Sequence, residues 1–172
     1  MLRFRSAVLA IVLLAGSAAA AQAEAPEPRA RINVDRFMGR WYEIARTPND
    51  HQKNCWAASQ NWSRRAANSF AITQTCHRDS RDGRATTVNT SARILDTETN
   101  AKWEASFFAG LIRQRYWVID IAPDYSWMIA TTADGQFPAL LSRNPTMSAA
   151  QKADLIARMA RLGLPTHQLI SR

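Results

Sequence analysis

The chain has 172 residues, a length that suits one domain with a sizeable core. Its formal net charge is +8, yet the basic residues are scattered singly with no run of five, which excludes a nucleic-acid-binding arm and leaves a modest attraction to anionic lipid headgroups. Cys55 and Cys76 form an even pair, while His51, His77 and His167 lie far apart with none of the paired spacings of a metal site.

The chain opens on a secretion signal. Met1-Leu2-Arg3-Phe4-Arg5 is a basic start, residues 7–15 are a short apolar stretch, and Ala21-Gln22-Ala23 fits an Ala-x-Ala cleavage site. Residues 1–23 therefore read as a cleaved signal peptide, because the apolar stretch is too short to span a bilayer. An uncleaved membrane anchor is the alternative. Loss of Arg3 and Arg5 leaves a mature charge of +6. Residues 24–31, with Pro26 and Pro28, read as a flexible leader, and residues 32–172 as the folded domain.

Strand follows strand from Trp41. Residues 41–47 are the first. Residues 56–64 and 69–77 flank Arg65-Ala66-Ala67-Asn68 and read as a hairpin. A turn at Asp82-Gly83 leads to 85–95, and a turn at 96–100 to 102–108. A loop at Gly110 precedes 116–120, Pro123-Asp124 turns into 125–132, and Asp134-Gly135 into 137–143. Eight strands at such short spacing predict an antiparallel sandwich or barrel. The period then changes. Ser148-x-x-Gln151 is a capping box, and Leu155, Ile156, Met159 and Leu162 share one helical stripe that Gly163 and Pro165 end. That stripe must be buried on the outer wall of the sheet, since the helix cannot stand alone. Residues 167–170 are a last short strand.

Gly39-Arg40-Trp41 opens the first strand, Asp124-Tyr125 sits in the turn between the sixth and seventh, and Leu140-Leu141-Ser142-Arg143 ends the eighth. These three places together resemble the lipocalins, small barrels that hold one apolar ligand. Trp41-Tyr42-Glu43-Ile44-Ala45-Arg46, Ser106-Phe107-Phe108, Tyr116-Trp117-Val118-Ile119 and Leu141-Ser142-Arg143-Asn144-Pro145-Thr146 are similar to the bacterial branch, over residues 32–172. The resemblance implies an all-β, eight-stranded antiparallel up-and-down barrel with a C-terminal helix packed outside. It also implies a carrier or store for a small hydrophobic or amphipathic molecule of the fatty acid or lysophospholipid class. Gly39, Trp41, Asp124, Tyr125 and Arg143 would be structural, with Arg143 lying across the Trp41 indole to close one end. Two places depart from the branch. In Leu14-Ala15-Gly16-Ser17, Ser17 stands where a lipid-bearing cysteine belongs, and a hydroxyl cannot form the thioether, so an unanchored periplasmic or secreted protein is expected. Pro138 cannot donate to a ladder, so a bulge or loosened edge is expected in the eighth strand.

Side chains alternate in and out along a strand, and an eight-stranded barrel has room for one small ligand. Lys102 and Glu104 claim the outer face of their strand, which turns Trp103, Ala105 and Phe107 inward. Arg93 does the same for Val88, Thr90, Ala92 and Ile94, and Arg115 for Tyr116 and Val118. Ala58, Gln60 and Trp62 share a face that the resemblance places inward. Tyr125, Trp127 and Ile129 share a parity that no charge fixes, and Trp127 joins the ligand-facing set. A dry core is the alternative for all these faces; the small Ala58, Ala92 and Ala105 among bulky neighbours favour a cavity. Symmetric pairing about the 65–66 turn puts Cys55 opposite Cys76, a cross-strand disulfide, with two free buried thiols as the alternative.

No hydrolase elbow, phosphate-cradling loop or dinucleotide fingerprint occurs in the mature sequence, so no catalytic residue and no cofactor is expected. Glu43 reads as a polar group at a strand mouth. An enzyme acting on a lipid-like substrate in the same cavity, and an interaction module with a filled barrel, are the rival functions.

Overall fold

The computed structural model describes residues 24–171, so the signal-peptide reading lies outside the described residues. A four-residue helix α1 (Val34–Phe37) precedes β1 (Gly39–Arg46), β2 (Ala57–Ala66), β3 (Ser69–His77), β4 (Ala85–Ile94), β5 (Lys102–Phe107), β6 (Ile112–Ile121), β7 (Trp127–Thr132) and β8 (Ala139–Ser142). Helix α2 (Ala149–Arg161) and a two-residue strand β9 (Ile170–Ser171) follow. Each strand pairs antiparallel with the next, and β1 pairs with both β2 and β8. The sheet is therefore a closed, eight-stranded up-and-down barrel, and β9 only extends one edge by pairing with Ala45 and Arg46.

Two apolar clusters lie on the two faces of this wall. The inner one holds Phe37, Trp41, Trp62, Phe70, Ile72, Trp103, Val118 and Met128; the outer one holds Ile44, Ala45, Ile119, Ile129 and Leu140 beneath Leu155 and Met159 of α2. The stripe of α2 is thus buried against the outside of the barrel, with Ile156 and Leu162 at its margin. Ser148 caps the helix by accepting from the Gln151 amide at 3.2 Å, and Arg158 ties it to the wall through Asp120 at 2.5 Å. Two bulges let the outer cluster form. Register shifts between Glu43 and Ala45, and between Val118 and Asp120, turn consecutive residues such as Ile44 and Ala45 to the same face. The irregularity expected beside Pro138 falls on the facing strand. Pro138 itself is buried just before β8 and only accepts, from the Thr47 amide at 3.0 Å.

The leader has no regular secondary structure, yet it is pinned to the barrel. Ala25 is buried, its amide donates to Ala133 O at 2.8 Å, and the Arg29 amide donates to Ile119 O at 3.0 Å. The β2–β3 register corrects the expected cysteine geometry. The turn is centred on Ala67-Asn68, with Ala66 paired to Ser69, and the register shifts by one residue between Arg64 and Ala66, so the residue opposite Cys76 is Ala58, not Cys55. Cys55 comes from the loop before β2 and still reaches Cys76, with a Cα–Cα separation of 5.4 Å, and the two form a disulfide.

Candidate functional site

One end of the barrel is sealed by groups the sequence scatters over a hundred residues. Helix α1, capped by Asn33, lies across that end with Phe37 buried beneath it. The Trp41 indole donates to Phe37 O at 2.9 Å, and the Arg143 guanidinium sits 3.7 Å from the centre of the Trp41 ring. Arg143 also donates to the carbonyls of Arg40, Arg36 and Phe37 at 3.0, 2.6 and 3.1 Å. Gly39 makes this approach practicable: its φ is +94°, and a Cβ there would lie 3.3 Å from Arg143 Nη1. Asp124 and Tyr125 complete the seal. The Ser126 amide donates to Asp124 at 3.0 Å and hydrogen bonds from Ser126 hold that carboxyl below its usual range. Tyr125 accepts from the Asn33 amide at 2.7 Å and carries Arg36 over its ring at 4.3 Å.

Above this seal Phe37, Trp62 and Trp103 pack ring against ring, with centroids 5.2–5.4 Å apart, and form an aromatic floor. A cavity of about 90 Å³ sits on it, walled by Ile72, Ala105, Val118, Met128, Ala130 and Leu141. Gln60, Gln74 and Tyr116 give the same cavity a polar belt, and Phe137 stands at its upper edge. The Trp103 indole N–H is buried and has no protein acceptor.

A buried acid backs the belt. Glu43 pairs across the ladder with Leu141 of the inner cluster, so it points into the barrel. Burial pushes its carboxyl above the usual range, opposed by Arg46 at 3.6 Å and by hydrogen bonds from Gln52 and Gln60. The Gln52 amide donates to both carboxylate oxygens, at 2.9 and 3.2 Å. Arg46 Nη2 in turn donates to the carbonyls of Gln52 and Cys55 at 3.3 and 3.0 Å. The β1–β2 loop is thereby drawn over one side of the open end. Burial, with Glu43 second, also raises the Tyr116 phenol to about 12.

Of the residues expected at the ligand, Gln60, Trp62, Trp103, Ala105, Tyr116 and Val118 line this cavity. Ala58, Thr90 and Ala92 are buried but stand off it, and Phe107 is half-buried beside the inner cluster. Val88 shares the inward register through Gln74 but is 48% exposed, because β4 runs on past the last residue that β5 pairs. Trp127 lies on the other side of the wall. It packs in the outer cluster under α2, with Arg158 5.6 Å from its ring. Tyr125, with φ of 64°, lies in the turn before β7 and does not carry its parity into the strand, so Met128 and Ala130, not Trp127 and Ile129, face inward. Glu43, Gln74, Met128 and Phe37 were missed. Glu43 had a signal: it is two residues from Trp41 on the same strand face.

A second cavity, of about 260 Å³, lies against β1–β3, where Arg40, Tyr42, Trp56, His77 and Arg81 line it together with Glu43 and Ala58. Among the described residues no group of three or more His, Cys, Asp or Glu is placed to hold a metal, and no helix is long and apolar enough to cross a membrane.

Comparison with known proteins places this geometry. Residues 32–172 match the model of the lipocalin-like domain family. The fold is similar to insecticyanin from the tobacco hornworm Manduca sexta, with a TM-score of 0.65 and 16% identity over 88% of this chain and 87% of that one. It is similar to lobster apocrustacyanin A1 (TM-score 0.62, 16% identity, 81% and 78% covered). The amine-binding protein of Rhodnius prolixus, solved with tryptamine, gives a TM-score of 0.61 at 15% identity over 88% and 86%. In sequence, 45 residues are 38% identical to a protein of Acanthamoeba polyphaga mimivirus named for the lipocalins, a match that spans 26% of this chain and 27% of that protein.

Proposed function

The chain belongs to the lipocalin-like family, and from that premise we propose that it binds and carries a small hydrophobic or amphipathic molecule in the barrel, without catalysis. The observation that carries this reading is the cavity above the Phe37–Trp62–Trp103 floor, closed below and open above. We take the ligand to be of the fatty acid or lysophospholipid class, and the chain to be of the bacterial branch and exported. The disulfide supports an oxidising compartment.

The lining sets the ligand's direction. The floor is aromatic, and the polar Gln60, Gln74 and Tyr116 lie above it. A fatty acid therefore enters tail first, its head left at the mouth. Each methylene removed from water contributes about 0.8 kcal/mol, less the ordering cost. The cavity of about 90 Å³ is well below the roughly 300–1,000 Å³ of pockets that swallow a drug-sized molecule. Only the end of a tail fits unless Phe137 or the β1–β2 loop gives way, so bound chains protrude towards the rim. The mature protein's positive charge adds a weak attraction to anionic membrane surfaces.

A compact amine is the second reading, favoured by the buried Glu43 carboxylate and the polar belt. Native mass spectrometry of gently purified protein, followed by titration of the stripped protein with palmitate and with tryptamine while tryptophan emission is followed, separates the two. Co-purified lipid and a saturable response to palmitate are expected. A response to tryptamine alone selects the amine, turnover of a bound lipid selects an enzyme, and no response to either removes the carrier.

A further inference from the structure

The corner that joins β5 to β6 presents apolar side chains to water. Leu111 is 87% exposed, Phe108 65% and Ile112 49%; Phe137, in the β7–β8 turn at the same end of the barrel, is 45% exposed. Scattered single apolar residues are ordinary on a protein surface, but three within five residues of one tight turn are not. The turn holds them there. Phe108, Ala109 and Gly110 all have positive φ, at 50°, 55° and 98°, a conformation that a phenylalanine adopts only under constraint.

Basic charge predominates around this corner. Residues 105–119 contain Arg113 and Arg115 and no acid. The nearest carboxylate, Glu104, already meets three guanidiniums, Arg93 at 2.9 Å and Arg113 and Arg115 at 3.6 Å each. All three arginine side chains are more than half exposed, so two positive charges remain uncompensated there. At about 3.3 Å per strand residue, Arg113 and Arg115 stand roughly 7 and 13 Å behind Leu111. An apolar tip followed at that depth by a basic belt matches the acyl boundary and the phosphates of a bilayer, and long arginine stems reach back to the phosphates. The β1–β2 and β3–β4 loops carry both signs, with Asp50, Asp79 and Asp82 against Lys53, Arg78, Arg81 and Arg84, and the β7–β8 turn carries Asp134 alone. They give no comparable site.

We propose that the β5–β6 corner inserts Phe108, Leu111 and Ile112 into an anionic lipid bilayer, with Arg113 and Arg115 on the headgroups and the barrel mouth turned to the membrane. This goes beyond carriage, because it requires no ligand in the lumen. The test is co-sedimentation of residues 24–172, stripped of lipid, with phosphatidylcholine vesicles made with and without phosphatidylglycerol. Binding to the anionic vesicles is expected. The triple variant F108S/L111S/I112S should lower the partition coefficient at least about a hundredfold, since each buried side chain is worth about tenfold. R113Q/R115Q should lower it about fivefold per arginine, on anionic vesicles and at low salt only. Because Phe108, Leu111 and Ile112 are exposed, circular dichroism and melting of the triple variant should match the parent; R113Q/R115Q keeps Arg93 on Glu104 at 2.9 Å and should retain the fold by circular dichroism, and A105F, which fills the lumen, should leave vesicle binding intact. Absence of parental binding, or equal binding by the triple variant, overturns the proposal. So does a parental dimer that the triple variant abolishes without any vesicle binding. Loss of vesicle binding in A105F with the fold retained would mean that the membrane is met through the lumen's ligand, and this too overturns it.

Discussion

Arg143→Met tests how the sealed end is held. The substitution keeps the length of the stem and removes the guanidinium, which lies 3.7 Å from the Trp41 ring centre and donates to three carbonyls at 2.6–3.1 Å. A partly desolvated cation–π contact is worth about 1 kcal/mol. The three hydrogen bonds add about 0.5–1 kcal/mol each, at the low end because the freed Arg36 and Arg40 carbonyls can regain water while that of Phe37 keeps the indole N–H at 2.9 Å. The loss should total about 3 kcal/mol. Arg143→Lys should lose about half of that, because one ammonium cannot bridge three separate carbonyls. Urea unfolding followed by tryptophan emission reads the effect as a lowered midpoint at constant slope. Gly39→Ala belongs to the same cycle. Its φ of +94° and a Cβ at 3.3 Å from Arg143 Nη1 should cost about 1–2 kcal/mol, partly by displacing the guanidinium. The double variant should therefore cost less than the sum. A loss below about 0.5 kcal/mol for Arg143→Met, or full retention by lysine, would refute this account of the seal.

Glu43→Gln should remove a pH dependence. The folded carboxyl is raised above its unfolded value near 4.5, so the native state holds the proton more tightly and stability falls as pH rises from that value through the raised one. The amide has no such fall, and parallel stability–pH curves for parent and variant would contradict the burial of the charge. Replacing both Cys55 and Cys76 by serine should cost about 3 kcal/mol for a link spanning 21 residues, read from denaturant midpoints. An unchanged midpoint would deny the link any role. Ala105→Phe should fill the cavity at a cost of about 1–3 kcal/mol and abolish the palmitate response. Undiminished binding in a folded variant would place the ligand elsewhere, with the second cavity beside Trp56 and Arg81 the next place to look.

The inner faces were readable where a charge fixed the parity. Lys102, Glu104, Arg93 and Arg115 each had to face water, and they turned Trp103, Ala105, Tyr116 and Val118 towards the lumen. Residues 125–132 contain no charge, and parity there depended on where the strand began after the Tyr125 turn, which periodicity does not reveal. That is why Trp127 was placed inside and lies outside. The hairpin failed for a related reason, since its turn sits at Ala67-Asn68, two residues beyond the expected centre, and an irregularity near Ala66 shifts the β2–β3 pairs by one. Glu43 was misread because a carboxylate is rarely buried, and only its partners Arg46, Gln52 and Gln60 make the burial tolerable. Those partners come from β1, a loop and β2, and no local pattern joins them.

The β1–β2 loop is fastened twice, by the Cys55–Cys76 link and by the grip of Arg46 and Glu43 on its backbone and on Gln52. The β7–β8 corner is tied to that loop by the Thr47 amide on Pro138 O at 3.0 Å and to the leader by the Ala25 amide on Ala133 O at 2.8 Å, whereas the β5–β6 corner has no comparable link among the described residues. The entrance is therefore lopsided, one jamb riveted and the other able to swing. A reductant that cut the sulfur rivet would loosen the riveted jamb while leaving the hearth of stacked rings untouched.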